Sequence, residues 1–425
     1  MSIRPILPAR HPVHGTVRVP GSKSLTNRAL VLGALAEGRT VVQAALFSDD
    51  TRLMAGGLRA LGFSVEEEPQ AGRFVVWGAG GRIPARCARV EAGNAGTVAR
   101  FLTAVAALGS GHYVVDGSPR MRQRPILDLV VALGALGCDA VAPSGCPPVW
   151  IRARGLAGGR AAVRSQISSQ FLSALLQVAP LAASPVELVV DGPLVAAPYV
   201  EMTLGVMAAF GVTVRREDPA RYLVAPQRYA PRSFRVEPDA SSASYFFAAA
   251  AATGGTVTVP GLGPASLQGD VHFLDVLQAM GCMVEWEEEA VTVRGPSRLH
   301  GVDADLANMP DMTMTLAALA PFADGAVRIR GVGHIRHQES DRLEALATEL
   351  RRLGQEVRLL PDGLEVLPRP VRPAVVETYG DHRMAMAFAV VGLGAAGVAI
   401  AGPECVSKTF PEFFSALDAL LAGER

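Results

Sequence analysis

The sequence predicts an α/β protein of two lobes, each built of three β-α-β-α-β repeats, facing across a cleft. Three observations carry this. The chain has 425 residues, too many for one ordinary core and enough for two domains. Six segments share one order: strand, polar turn, apolar helix, Gly, strand. Their polar turns recur roughly every 70 residues, the mark of a repeat architecture.

The turns and first helices read "GSKSLTNRALVLGALAEG", "GNAGTVARFLTAVAALGSG", "SQISSQFLSALLQVAPLA", "DASSASYFFAAAAATGG", "MPDMTMTLAALAPFADG" and "YGDHRMAMAFAVVGLGAAG". In the first of these, Leu25, Ala29, Leu32 and Ala36 recur at helical spacing and predict one apolar face. A second helix follows in each unit, as in "DTRLMAGGLRALGF", "PYVEMTLGVMAAFGV" and "SDRLEALATELRRLG". Most of these end in an apolar residue and Gly, which fits a left-handed C-cap. "VRVP", "VTVP" and "VRIR" alternate, are β-branched and read as strands.

Three such blocks fill about 210 residues, a normal upper size for one core. The Pro-rich stretch "APQRYAPRSFRVEP" lies between the third and fourth blocks. The expected division is therefore 21–234 for the first lobe and 1–20 plus 235–425 for the second. The sixth unit runs out of chain after its second helix, and the leading "SIRPILPA" is a spare strand able to complete it.

Composition limits the function. Hydrophobic residues make up 49% and charged residues 19%, which describes a globular protein. The 40 basic and 40 acidic residues cancel, so nucleic acid is not an expected partner. Cys87, Cys138, Cys146, Cys282 and Cys405 form no CxxC pair and read as reduced thiols of a cytoplasmic protein. No secretory signal or membrane span is expected.

The helix mouths hold the chemistry. Lys23, Ser24 and Arg28 open the first; Asn94, Gly96, Thr97 and Arg100 the second; Ser168, Ser169 and Gln170 the third. Asp311 opens the fifth, and Asp381, His382 and Arg383 the sixth. Arg120, Arg122 and Arg124, Arg342, and Lys408 precede second helices, while the fourth mouth, "DASSASY", is the weakest. A helix N-terminus has free N–H donors and about half a positive charge. Added hydroxyls, Lys and Arg make a phosphate or carboxylate site. Each turn alone reads as an ordinary N-cap; recurrence across five units favours an anion site.

Other patterns fail on context. "GLGAAG" (Gly392 to Gly397) sits at the end of a helix and links no strand to a helix, so it is no dinucleotide fingerprint. In "GTVRVPGSKS" the glycine spacing is wrong for a P-loop. His334, His337, Glu339 and Asp341 match no strong zinc signature, so no metal is expected.

"PGSKSLTNR", "GNAGTVAR", "RQRPI", "ISSQFLSALL", "MPDMTMT", "ESDRLEALATELRRLG", "GDHRMAMAF" and "SKTFPEFF" closely resemble the 5-enolpyruvylshikimate-3-phosphate (EPSP) synthase family. The motifs lie in every unit but the fourth. The resemblance implies two inside-out α/β lobes, no cofactor, and a monomer. It implies transfer of the enolpyruvyl group of phosphoenolpyruvate to the 5-hydroxyl of shikimate 3-phosphate, with release of phosphate. By the same resemblance, Lys23, Gly96, Arg124, Gln170, Arg342, Arg383 and Lys408 hold phosphoenolpyruvate. Lys23, Ser24, Arg28, Ser168, Ser169, Gln170, Tyr199, Asp311, His334 and Gln338 meet shikimate 3-phosphate. Asp311 is the implied general base and Glu339 the implied acid at the methylene carbon, with Lys23 and Lys408 as alternative donors. Asn94 and His382 line the cleft.

The chain also departs from the family pattern. Gln338 stands where Lys is usual, Ala196 where Ser is frequent, and His334 where Asn is common. Gln cannot shuttle a proton; His334 or His337 is expected to compensate in part for the missing cation. Glyphosate mimics phosphoenolpyruvate in this family, and Gly96 matches the small residue of sensitive members, so inhibition is expected. The rival reading is UDP-N-acetylglucosamine enolpyruvyl transferase, whose loop before Arg-Pro carries a Cys that "DGSPRMRQRPI" lacks. A non-catalytic anion-binding repeat scaffold is the more remote one.

Overall fold

The computed structural model describes residues 2–423. The chain divides into two compact units: residues 21–236, lobe one, and the segment up to residue 20 with everything from 237 on, lobe two.

Lobe one contains α1 (Lys23–Leu35), α2 (Asp49–Ala60), α3 (Gly96–Ala107), α4 (Leu127–Ala135), α5 (Gln170–Val178) and α6 (Pro198–Ala209). Three four-stranded sheets accompany them. In each sheet a parallel pair is followed by two antiparallel strands. The second sheet shows the pattern: Cys87–Glu91 runs parallel to Ser110–Asp116, which pairs antiparallel with Val149–Arg154 and then Asp139–Val141. The first sheet takes its parallel strand, Ser233–Arg235, from the end of the lobe, where it pairs with Glu37–Gln43.

Each first helix of lobe one lies deep in the lobe. α1 is buried from Leu25 to Leu35 and α3 along its whole length. The single apolar face expected for α1 is therefore too narrow: Thr26, Asn27, Arg28, Leu30 and Val31 are buried as well. A helix with no solvent face is mostly apolar or small, and the polar groups it buries, here Asn27 and Arg28, find hydrogen-bond partners. Each of its four buried leucines contributes about 1.5–3 kcal/mol. Glycine sets the spacing at one crossing: a Cβ at Gly57 in α2 would lie 2.3 Å from Leu102 Cδ1 in α3.

Lobe two contains α7 (Ala240–Thr253), α8 (Phe273–Ala279), α9 (Thr313–Leu319), α10 (Arg342–Arg352), α11 (His382–Gly394) and α12 (Phe413–Ala422). α7, α9 and α11 pack against one another, and α9 is wholly buried. Two of its sheets repeat the four-stranded order of lobe one, and the third has three strands. In that third sheet Ile3–Pro5 pairs antiparallel with Val398–Ala401, which runs parallel to Ala374–Glu377. His14–Thr16 pairs parallel with Thr256–Pro260 in the fourth repeat.

"VRVP" is not a strand. Pairing ends at Thr16; Val17 N–H still reaches Thr258 O at 2.9 Å, and Pro20 has no N–H to continue a ladder. Pro20 O instead accepts from Asp239 N at 2.8 Å. The capping glycines follow the pattern read from the sequence. Gly62, Gly137, Gly211, Gly281 and Gly354, after α2, α4, α6, α8 and α10, have φ of 92°, 94°, 86°, 97° and 86°. Within "GLGAAG", a Cβ at Gly392 would sit 2.5 Å from Ile6 Cβ, so this glycine admits the N-terminal segment against α11. No helix among the described residues is long and apolar enough to cross a membrane.

Candidate active site

In lobe one the openings of α1 and α3 meet. Asn27 Nδ2 donates to Thr97 Oγ1 at 2.8 Å, and the Arg28 guanidinium lies 5.2 Å from the Phe101 ring centre. Arg28 is 1% exposed. Its Nε donates to Thr203 Oγ1 (2.8 Å), Nη1 to Ser24 O (3.0 Å) and Nη2 to Tyr199 O (2.9 Å). All three acceptors are neutral, and burial draws its pKa down to about 10. Lys23, at the first turn of α1, lies 3.3 Å from Asp50 Oδ2.

A second group forms where α3 and α5 begin. Arg124 Nη1 donates to Asn94 O at 3.0 Å and Oδ1 at 3.3 Å. A methyl at Gly96 would lie 2.9 Å from Arg124 Nη2 and 2.9 Å from Gln170 Oε1, so these three positions converge. Ser168 Oγ accepts from Gln170 N at 3.2 Å, and the buried Ser169 stands just before α5. Not every arginine of these mouths is available. Arg122 holds Asp116 through two bonds of 2.9 and 2.8 Å, which keeps that carboxyl below its ordinary range. Arg100 Nη2 donates to Pro125 O at 2.7 Å.

In lobe two, repeats five and six deliver charges to one cluster. Asp311 sits in the short turn Pro310–Met312 before α9. Its Oδ1 accepts from Arg342 Nη1 at 3.0 Å and its Oδ2 from Arg383 Nη2 at 2.6 Å. Arg342, the first residue of α10, also donates Nε to Asp381 Oδ2 at 2.8 Å and meets Glu339 Oε2 at 3.0 Å. Gln338 Oε1 accepts from Arg342 Nη1. Glu339 Oε1 lies 3.7 Å from Lys408 Nζ. Asp381 is the N-cap of α11 and accepts from Arg383 N at 3.0 Å. Burial lowers the pKa of Arg342, but Asp381, Glu339 and Asp311 outweigh it and the net shift is upward.

His382 is fully buried, with Nδ1 3.5 Å from Asp381 Oδ1. His334 keeps a buried Nε2 with no hydrogen-bond partner among the described residues. Burial lowers its pKa more than Asp311 raises it, so the ring is neutral near pH 7 and supplies no charge there. His337 is exposed at the end of the turn Gly333–His337.

The sequence model of EPSP synthase (3-phosphoshikimate 1-carboxyvinyltransferase) matches residues 7–417. The chain belongs to the EPSP synthase family. A 3-phosphoshikimate 1-carboxyvinyltransferase of Trichormus variabilis is 48% identical over 407 residues, covering 95% of this chain and 96% of its own. The chloroplastic 3-phosphoshikimate 1-carboxyvinyltransferase of Arabidopsis thaliana is 47% identical over 429 residues, covering 96% of this chain and 82% of its own. The structure of EPSP synthase from Acinetobacter baumannii gives a TM-score of 0.83 at 25% identity, covering 99% of this chain and 98% of that one.

For a member of the EPSP synthase family, repeat four is the surprise. The sequence marks it as the weakest mouth, yet Ser241 Oγ lies 3.5 Å and Tyr245 Oη 3.4 Å from the Arg383 guanidinium. Asp50, Thr203 and Asp270 also went unread. Only Thr203 had a local signal, four residues after Tyr199 on one helix face.

Proposed function

We infer that the chain catalyses the reaction of its family, enolpyruvyl transfer from phosphoenolpyruvate to the 5-hydroxyl of shikimate 3-phosphate, and we assign its residues as follows. The observation that carries the assignment is Asp311, gripped through both oxygens by Arg342 and Arg383. The Asp311 side chain remains 20% exposed, enough to receive a proton from a bound hydroxyl.

Lys23, Gly96, Arg124 and Gln170 of lobe one and Arg342, Arg383 and Lys408 of lobe two take phosphoenolpyruvate. Ser24, Arg28, Ser168, Ser169 and Tyr199 take shikimate 3-phosphate. Lys23, Gln170, His334 and Gln338 assist there. Both substrates are polyanions, and dense cations offset their mutual repulsion. The 5-hydroxyl oxygen attacks C2 of phosphoenolpyruvate and its proton passes to Asp311. Glu339, in reach of Lys408, protonates C3. The tetrahedral adduct then returns a proton from C3 and expels phosphate, leaving the enolpyruvyl ether.

The protein acts as a cytoplasmic monomer in this reading, and its five cysteines are free thiols. Phosphate release tests the assignment. Turnover is expected with phosphoenolpyruvate and shikimate 3-phosphate and not with UDP-N-acetylglucosamine as acceptor; the opposite preference overturns it.

A further inference from the structure

Repeat four reaches the site through a residue that the reaction does not use. Asp270 lies in the short turn Gly269–His272 and is 7% exposed. Its Oδ2 accepts the Ser241 hydroxyl, and Ser241 Oγ in turn lies 3.5 Å from Arg383 Nη2. The same Nη2 holds Asp311 Oδ2 at 2.6 Å. The turn is fastened to the start of α7: Gln268 accepts from Ala240 N at 3.0 Å and donates to Pro238 O at 2.7 Å.

A serine hydroxyl has one proton. While it points at a carboxylate, the oxygen's lone pairs are left for a guanidinium. A neutral carboxyl there can donate instead, which turns the serine proton toward the N–H of Arg383. We propose that Asp270 is a positioning residue for phosphoenolpyruvate: it directs the Ser241 hydroxyl so that its oxygen accepts from Arg383 and fixes that guanidinium beside Asp311. This rests on reading Arg383 as a phosphoenolpyruvate ligand.

The charged groups facing Asp270 are Asp239 before α7, Asp311 before α9 and Arg383 on α11. On α8, Asp275 pairs with His272 in an exposed contact. Burial pushes the Asp270 carboxyl up to about 6, with the charge of Asp311 adding to the rise. Asp270 therefore ionises as pH rises through that value, and the KM for phosphoenolpyruvate should fall over the same range.

Steady-state kinetics from about pH 5 to pH 8 test this. Asp270→Ala should raise the KM for phosphoenolpyruvate about tenfold, with kcat changed by less than about threefold. Asp270→Asn keeps an acceptor oxygen but cannot titrate. It should recover most of that loss at neutral pH and show no rise of KM in acid. If Asp270→Ala does not fold, Ser241→Ala removes a single oxygen and should give the same KM effect. An unchanged KM in Asp270→Ala or Ser241→Ala, or an acid rise that persists in Asp270→Asn, overturns the proposal. If the native protein does not turn over phosphoenolpyruvate with shikimate 3-phosphate, the functional reading fails and this inference with it. Native turnover with indifferent variants sinks this inference alone.

Discussion

Arg28 in lobe one and Arg342 in lobe two are each 1% exposed, yet they solve burial in opposite ways. Arg28 is surrounded by a hydroxyl, two backbone carbonyls and the face of Phe101, and its pKa falls to about 10. Arg342 meets Asp311, Glu339 and Asp381, and its pKa rises. A buried cation with neutral partners carries a desolvation cost that an incoming anion relieves. A buried cation already matched by carboxylates is a fixed part of the frame. On the proposed assignment, Arg28 thus holds its charge in reserve for a ligand, whereas Arg342 shares its charge between substrate and the carboxylates it holds in place.

The sharpest way to break that contrast is Asp311→Asn. If lobe two exists to hold the base, kcat for phosphate release should fall about 10²–10⁴-fold. Retention of near-native kcat would show that the two arginines grip a structural carboxylate and that the base lies elsewhere. Next in size is a stability comparison. Arg342→Met strips the arginine from buried Asp381 and from Glu339, which keeps Lys408, and should cost about 3–5 kcal/mol. Arg28→Met loses bonds to neutral oxygens but also removes a buried charge, so it should cost about 1 kcal/mol or less. Urea midpoints of the two variants without substrate decide this; equal losses contradict the contrast.

The same contrast marks how far the sequence could be read. Lys23, Gly96, Gln170, Asp311 and Arg383 stand out because each falls at the start of a repeated helix, and repetition is visible along one dimension. The C-cap glycines Gly62 to Gly354 are legible for the same reason. What Arg28 and Arg342 do with their charge is not local. Thr203 is 175 residues from Arg28, and Asp381 is 39 from Arg342. Arg122 and Arg124 read alike in the sequence, and the two bonds from Arg122 to Asp116, across a turn, are what separate them. Ser241 and Asp270, 29 residues apart, form no pattern of their own. The burial of α1 on every side escaped for a different reason. A 3.6-residue period reports a helix with one wet face, and the first helices have none.

Ligand affinity sharpens the lobe-one side. If Arg28 waits for an anion, Arg28→Met should weaken shikimate 3-phosphate binding about 10–100-fold while leaving the fold intact. Calorimetric titration with shikimate 3-phosphate measures it. Unchanged affinity would mean that Arg28 merely ties α1 to α6, and the proposed reserve of charge would disappear.

The smallest effect should come from space rather than charge. Gly96 leaves room between Arg124 Nη2 and Gln170 Oε1, each only 2.9 Å from where a methyl would sit. Gly96→Ala therefore forces both side-chain ends to give by several tenths of an ångström. Neither is backbone, so the protein should fold with little loss of stability. If phosphoenolpyruvate binds at the opening of α3 as proposed, the ligand should notice more than the fold does, because Arg124 and Gln170 are displaced together. We expect the KM for phosphoenolpyruvate to rise by about tenfold or less, corresponding to no more than about 1.4 kcal/mol. Inhibition by glyphosate should weaken in the same variant, since it occupies the phosphoenolpyruvate side. An unchanged KM together with unchanged inhibition would place phosphoenolpyruvate away from the opening of α3.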